Sequence, residues 1–188
     1  MNGQIGAYHL AQSPELYTPA RSNNFEFIVH DINGIMKATA AEGDENSTIA
    51  NAEEIIRLSV NKTKVPHFSQ KSVEIKRGNS TIKFAGVPEF PSGSLEVNDY
   101  IGADTKSVLM AWQNLSYNVK TEKVGNAKNY KKQCKLIEYT PDFVYIRSWV
   151  LDGCWISNLE EGDFSNEDGE KRAITATIEY DRAYMDVD

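Results

Sequence analysis

Along most of this chain the hydrophobic residues stand at every second position, in short runs separated by polar breaks. The pattern is clearest between Tyr130 and Tyr180, where NYKKQCKLIEY, FVYIRSWVLDGCW and RAITATIEYDRAY each alternate. Alternation puts one set of side chains on one face of a pleated strand, so it predicts strands buried on one side and wetted on the other. Three such strands are read near 133–139, 143–151 and 172–180, separated by Thr140-Pro141-Asp142 and by the long polar stretch NLEEGDFSNEDGE. Nearer the start, Phe25, Phe27 and Val29 alternate with Glu26 and Ile28. The run EEIIRLSVNKTKVP reads as a strand stopped at Pro66, because proline has no amide proton for a ladder. Val73 and Ile75 before Gly78–Asn79, with Ile82 and Phe84 after it, predict a hairpin over 71–86. SLEVN, residues 94–98, is a further short strand.

One segment changes period. Val108, Leu109, Trp112 and Leu115 share a face at helical spacing, and Asp104 stands where an N-cap side chain would accept from the first free amides. A single packed α-helix is therefore predicted at about 104–115, with Trp112 and Trp155 assigned to the core. Residues 1–23, with Pro14 and Pro19, read as an extended N-terminal arm that needs a neighbour to hold it. Residues 39–52, TAAEGDENSTIANA, show no periodicity and read as a long loop or inserted contact element. The expected organisation is one domain over 1–188, with a mainly β core at 24–184.

Length and composition fit a single globular domain with chain enough for a core: 188 residues, 40% hydrophobic and 25% charged. The formal charge of −7 argues against general nucleic-acid affinity, since displacing counterions from phosphates takes concentrated Lys and Arg. It is compatible with a channel that DNA passes without sticking. Lys120, Lys123, Lys128, Lys131 and Lys132 make the middle of the chain basic, while acids prevail from Asp152 onward. The basic stretch reads as a solvated loop and strand edge, where lysines discourage stray pairing. Cys134 and Cys154 lie in strand-like segments and read as small buried apolar residues, with neither a disulfide framework nor a CxxC metal motif. The first residues, MNGQIGAYHLAQSPELYTP, have neither the basic nor the apolar region of a signal peptide. No apolar run approaches the ~20 residues of a membrane-spanning helix. Synthesis in a cytoplasm is the expectation, and the glycosylation-like matches at Asn46, Asn61, Asn79 and Asn114 are then coincidental.

Reactive constellations are lacking. His9, His30 and His67 have no partners at zinc spacing, and there is no GxSxG elbow, P-loop or GxGxxG. The acidic stretch from Gly162 to Gly169 suggests a calcium loop but fails on register, because Phe164 falls where the first carboxylate ligand belongs. No catalytic, cofactor-binding or metal-binding residue is named, and the expectation is a protein that is not an enzyme. The reading from another class is a monomeric β-sandwich binding module or small carbohydrate-active enzyme. That reading needs an exposed aromatic platform, and most aromatics here fall at strand positions that read as buried.

The order of these elements resembles the tail tube proteins of contractile-tailed bacteriophages, a family related to pyocin-type tubes and to the Hcp protein of type VI secretion. The resemblance rests on an Asn-x-Phe opening the first strand, here Asn23-Asn24-Phe25, and on Thr63-Lys-Val-Pro66 closing the next. It continues with the hairpin ending in Ala85–Gly86, the strand closing on Asn98–Asp99, and the helix carrying Trp112–Gln113. Tyr130-Lys131-Lys132, Gly153-Cys154-Trp155 at the end of the penultimate strand, and a final alternating strand from Ala173 to Tyr184 complete it. The match runs from about Asn24 to Tyr184, while the arm and the 39–52 loop are longer than the family minimum.

What the resemblance implies is a β-barrel or sandwich-like tail-tube fold with one helix packed outside it and long inter-subunit loops. It implies hexameric rings, sheets joined edge to edge around a lumen, and stacking into a tube that conducts a genome into a host. Six copies at −7 give −42 per ring, a charge that would let DNA slide. Implied partners are other copies of the chain, tail sheath, baseplate and tape-measure proteins, with DNA passing the lumen without specific binding. The implied location is a virion tail, assembled in the host cytoplasm. A baseplate-proximal initiator or an Hcp-like secretion ring is the alternative within this class. The arm, the 39–52 loop and the hairpin are the segments expected to carry contacts between subunits, and the basic middle and acidic end are expected to complement each other between stacked rings.

Overall fold

The structure, a computed structural model, describes residues 18–37, 48–162, 164, 169 and 171–186. Most of the predicted arm, most of the 39–52 loop and most of the acidic 162–169 stretch lie outside the described residues. The elements run β1 (Phe25–Val29), β2 (Ile35–Met36), β3 (Thr48–Ile49), α1 (Ala52–Ser59) and β4 (Val60–Thr63). The hairpin strands β5 (Ser69–Arg77) and β6 (Ser80–Glu89) follow, then β7 (Gly93–Asn98) and α2 (Thr105–Asn114). After β8 (Tyr117–Asn118), β9 (Lys123–Val124) and the short α3 (Ala127–Tyr130) come the last strands. These are β10 (Lys132–Tyr139), β11 (Tyr145–Glu161), β12 (Ala173–Glu179) and β13 (Arg182–Asp186).

The main sheet is antiparallel, in the order β1-β10-β11-β12-β7-β4, with β13 also paired to β11. The 17-residue β11 belongs to both halves of it. Its Ser148–Asp152 segment pairs with β13, and its Trp155–Glu161 segment pairs with β12. Between them the register against β10 slips: Cys134 faces Leu151 while Lys132 faces Cys154, so β11 carries one extra residue. That is a β-bulge, which bends a strand and increases its twist. Gly153 sits in the bulge at φ +70°, a conformation costly for any residue with a Cβ. A Cβ there would also come within 2.3 Å of Asp181 Oδ2. Asp181 is where the chain leaves β12 for β13; its amide donates to the Asp152 carbonyl (2.9 Å) and its carboxylate accepts from Lys131 Nζ (2.7 Å).

The bend brings the two halves of the sheet around one core. β1 and β4 are its ends, each hydrogen-bonded on one side only, so the sheet stays open between them. Fully buried side chains come from β1, β10, β11, β12 and β7 but not from β4 or β13: Phe27, Leu136, Leu151, Ile156, Ile178 and Leu95 are examples. The expected mainly β, sandwich-like architecture is therefore present. α2 packs against β11 and α1 against β1. The helices are joined to each other by a buried 3.0 Å hydrogen bond between the Ser59 and Thr105 hydroxyls. Trp112, wholly buried, donates from Nε1 to the Tyr130 carbonyl at 3.0 Å and so ties α2 to α3. Cys134 and Cys154 are free and buried, as expected.

Several expectations are corrected. The run EEIIRLSV opens as a helix, α1, and only Val60–Thr63 is strand. Ala52, Ile56 and Ser59 are its buried residues, at the 4- and 3-residue steps of a helix face, whereas adjacent Ile55 and Ile56 could not share one face of a strand. The amide of Glu53 is capped by Asn33 Oδ1 (2.9 Å), a residue twenty positions away that no local pattern reveals. With α1 and α3 the described residues contain three helices rather than one. Helix α2 lies where predicted, but Asp104 does not cap it: at φ +50° its side chain makes no capping hydrogen bond. The end of the 39–52 loop is structured too, since β3 pairs with β2 and buries Ile49, and Ala52 begins α1.

The penultimate strand does not end at Trp155 but runs to Glu161, because the bulge bends it without ending it. The predicted last strand is two, β12 and β13, broken at Tyr180–Asp181. Trp155 is half-buried and packs edge-on against Tyr130 (centroids 5.8 Å apart), outside the core cluster that holds Trp112.

Gly153→Ala is expected to cost about 1–2 kcal/mol from the left-handed backbone alone, with more lost as Asp181 is displaced from Lys131. Denaturant unfolding measures this, and an unchanged midpoint would count against the corner. Trp112→Ala should cost about 3–5 kcal/mol and Trp155→Ala clearly less; equal losses would show that Trp155 carries core packing after all.

Candidate functional site

The part of the molecule that its own core does not explain is the β5–β6 hairpin. Among the described residues its strands pair only with each other. The turn has positive φ at Gly78 and not at Asn79, the type II′ pattern that suits the twist of a two-residue hairpin. One face carries Val73 opposite Phe84 and Ile75 opposite Ile82. The other carries the Glu74–Lys83 ion pair at 3.1 Å. The first face is the one a sheet normally buries, yet Val73 and Phe84 are 53% and 52% exposed. A two-stranded hairpin is marginal alone, and this one is held mainly at its root. There Phe68 packs on Phe90 (6.0 Å) and Phe90 edge-on to Tyr180 (6.2 Å). Lys71 Nζ donates to Glu89 across the same end at 2.8 Å, which raises the Lys71 pKa.

Two further surfaces are unsupported. A cleft of about 790 Å³ lies at the seam where the sheet fails to close, lined by Phe25, Val60, Val65 and Leu136 with Arg21 and Glu138. Thr63 Oγ1, also in its lining, is buried without a hydrogen-bond partner among the described residues. A second cleft, about 490 Å³, lies between α1 and the loop leading to α2, lined by Ile55, Leu58, Tyr100 and Ala103. Leu58 is 65% exposed and neighbouring Ile101 98%. The pairs of strand edges at β1, β4 and β13 add unpaired backbone groups, ready templates for pairing with another chain.

Of the segments expected to carry contacts, the hairpin is found exposed and apolar on one face; the arm and most of the 39–52 loop lie outside the described residues. The α1 cleft was not foreseen, because a strand reading of EEIIRLSV hides that Glu54 and Leu58 share the helix face away from Ala52 and Ile56. A 3.6-residue periodicity test on that octet would have found it. Of the basic middle, expected to meet the acidic end between subunits, Lys131 pairs with Asp181 within one chain; Lys135 and Lys106, outside that stretch, pair with Asp186 and Glu161. Chain order placed them far apart, and the sheet brings them together.

No cluster of metal-ligating side chains occurs among the described residues. His30 stands 4.0 Å from Glu53, and His67 lies near Tyr180. Burial pushes the Cys134 thiol well up, aided by the neighbouring Cys154, so the Cys134 sulfur is not poised as a nucleophile. Asp152 is shifted the other way. Gln133 Nε2 donates to it at 2.9 Å and Arg182 Nε at 2.7 Å, and both hold its carboxyl below the usual range.

No protein-family model matches the chain, and no curated protein sequence matches it. Solved structures do. A chain of the PVC sheath-tube complex of an extracellular contractile injection system, in the extended state, superposes with TM-score 0.63 at 15% identity, covering 97% of this chain and 99% of that one. A chain of the anti-feeding prophage cap, described as a tube-terminating cap, gives 0.62 at 14% identity over 90% of this chain and 92% of that one. A chain of the PVC sheath/tube terminator gives 0.62 at 17%, over 90% and 97%. At these identities the likeness is one of fold, and it is the fold that the sequence resemblance implied.

Because Asp152 has a lowered pKa in the folded state, its contribution to stability is complete above its unfolded value near 4 and is lost as pH falls through the lower folded value. Asp152→Asn should therefore reduce stability at neutral pH and flatten the acid limb of a pH–stability curve. An acid limb identical to wild type would show that the Gln133–Asp152–Arg182 bridge is energetically idle.

Proposed function

We propose that this chain is a structural subunit of the tube of a contractile machine, that its work is self-association, and that it has no enzymatic activity. Copies close into six-fold rings by joining exposed sheet edges, and the rings stack into a tube of the tail-tube kind. The lumen is a conduit, for a genome in a phage tail or for the payload of a tail-like particle, and sheath and baseplate proteins surround and terminate it. The observation that carries this reading is the hairpin: a long β-ribbon with one apolar face in water, on a fold shared nearly end to end with chains of contractile injection systems. Burying that face against another copy gains roughly 25 cal/mol per Å² of apolar area, a gain that a monomer forgoes. Ring closure satisfies strand edges that would otherwise recruit stray partners.

A second reading is a tube terminator, a ring that halts at one or two layers. It is favoured by likeness to the anti-feeding prophage cap and the PVC sheath/tube terminator, which nearly equals that to the sheath-tube chain.

Negative-stain electron microscopy and sedimentation across a concentration series separate these readings. Hollow tubes are the expected result, isolated six-fold rings indicate the terminator, and a strict monomer that binds glycans would overturn both. Phe84→Asp, on an exposed position, should leave the unfolding midpoint within about 0.5 kcal/mol of wild type while abolishing rings and tubes. Normal tubes from that variant would remove the hairpin from the assembly contact.

A further inference from the structure

The hairpin's apolar face needs a receptor, and the molecule carries one candidate of matching chemistry. Resting on the tube reading above, we infer that the β5–β6 hairpin of one copy docks into the cleft between α1 and the Tyr100–Asp104 loop of a second copy. The apolar fit is between Val73, Ile75, Ile82 and Phe84 on one side and Ile55, Leu58, Tyr100 and Ile101 on the other. Among the described residues both surfaces are uncovered: Ile82 is 46% exposed on the ribbon, and Leu58 and Ile101 are more so. Neither has the polar character that would explain such exposure in a monomer.

Charge selects this pairing. On the ribbon, Glu74 is taken by Lys83 and Glu89 by Lys71. That leaves Lys76 and Arg77, at the turn, without an ion pair among the described residues. On the cleft, Glu54 lines the wall and Asp104 ends the loop, and neither makes an ion pair among the described residues. Arg57, the one cation of α1, is on the side of Tyr139. A basic ribbon tip with an apolar flank thus meets an apolar cleft with an acidic rim. The two patches are different surfaces of one chain, so the contact is heterologous: each copy gives a hairpin and receives one. Such a contact propagates around a ring or along a stack and does not stop at a dimer.

Cross-linking and charge exchange test this on the full chain. Ile82→Cys protein is mixed with Leu58→Cys protein and treated with a short bis-maleimide. The native cysteines are fully buried, so the wild type is the unreactive control. The expected product is a mixed dimer whose linked peptides join β6 to α1. Cross-links that join hairpin to hairpin, or the hairpin to another surface, overturn the inference. In parallel, Lys76→Glu with Arg77→Glu should raise the concentration needed for assembly about tenfold or more. Adding Glu54→Lys and Asp104→Lys to the same chain should restore it, because every copy then carries both reversed partners. Absence of rescue overturns the inference, as does normal assembly of Leu58→Asp while Phe84→Asp is defective; in both cases the tube reading stands. A wild type that forms no rings or tubes at any concentration, together with an Ile82→Cys and Leu58→Cys mixture that gives no mixed dimer, overturns the tube reading and this inference together.

Discussion

The bulge at Asp152–Cys154, one of three places where β11 carries an extra residue against its neighbours, sets the shape of this protein. A 17-residue strand that stayed straight would hold β10, β12 and β13 in one flat layer with two wet faces and no enclosed core. The bulge at Asp152–Cys154 turns the strand, so its first half pairs with β10 and β13 and its second half with β12, and the two halves face each other across Leu151, Cys154 and Ile156. Glycine is required there twice over, for the positive φ and for the space that Asp181 occupies. The Asp181 carboxylate fixes Lys131, and the Tyr130 carbonyl next to it in sequence fixes Trp112, so the corner, the basic segment and α2 form one connected unit. Buried apolar area then supplies the stability that this geometry makes accessible.

The same bend leaves the sheet unclosed. β1 and β4 end it with unpaired backbone groups, and a cleft separates them. A monomeric barrel would have closed that seam. The hairpin adds a second exposed surface: among the described residues its apolar face has neither a second layer nor a helix over it. These are the surfaces that the proposed assembly would remove from water. Such a chain must also resist pairing wrongly before it pairs rightly. Part of its charge is neutralised inside each copy, through Lys131–Asp181, Lys135–Asp186 and Lys106–Glu161; under the proposed docking, the charges left at the hairpin tip and the α1 cleft are the ones that would discriminate.

Legibility in the sequence followed the range of the interactions. Strands β1, β7, β10 and β12 could be read because period-2 alternation is local, and α2 because its stripe Val108, Leu109, Trp112 is. The hairpin was legible down to its turn, since Gly78–Asn79 states its geometry in two residues. α1 was missed because its cap comes from Asn33 and its partner hydroxyl from Thr105, both distant in the chain. The cleft beside it was lost with it. The resemblance to tail tube proteins came from the order of elements, which tolerates an error in one of them.

By itself the sequence determined that the chain is mainly β, that an amphipathic helix lies at about 104–115, that a ribbon turns at Gly78, and that no local motif supports catalysis. Each of these is written in neighbours within about one turn or one strand. Tertiary structure alone decided that β11 serves both halves of the sheet, that the basic middle and acidic end meet within one chain, and which apolar residues are left in water. Burial is a property of what lies across space from a residue. Val73 and Val97 are both valines in alternating strands; one stays exposed and the other is sealed in the core, and only the placement of the rest of the chain separates them.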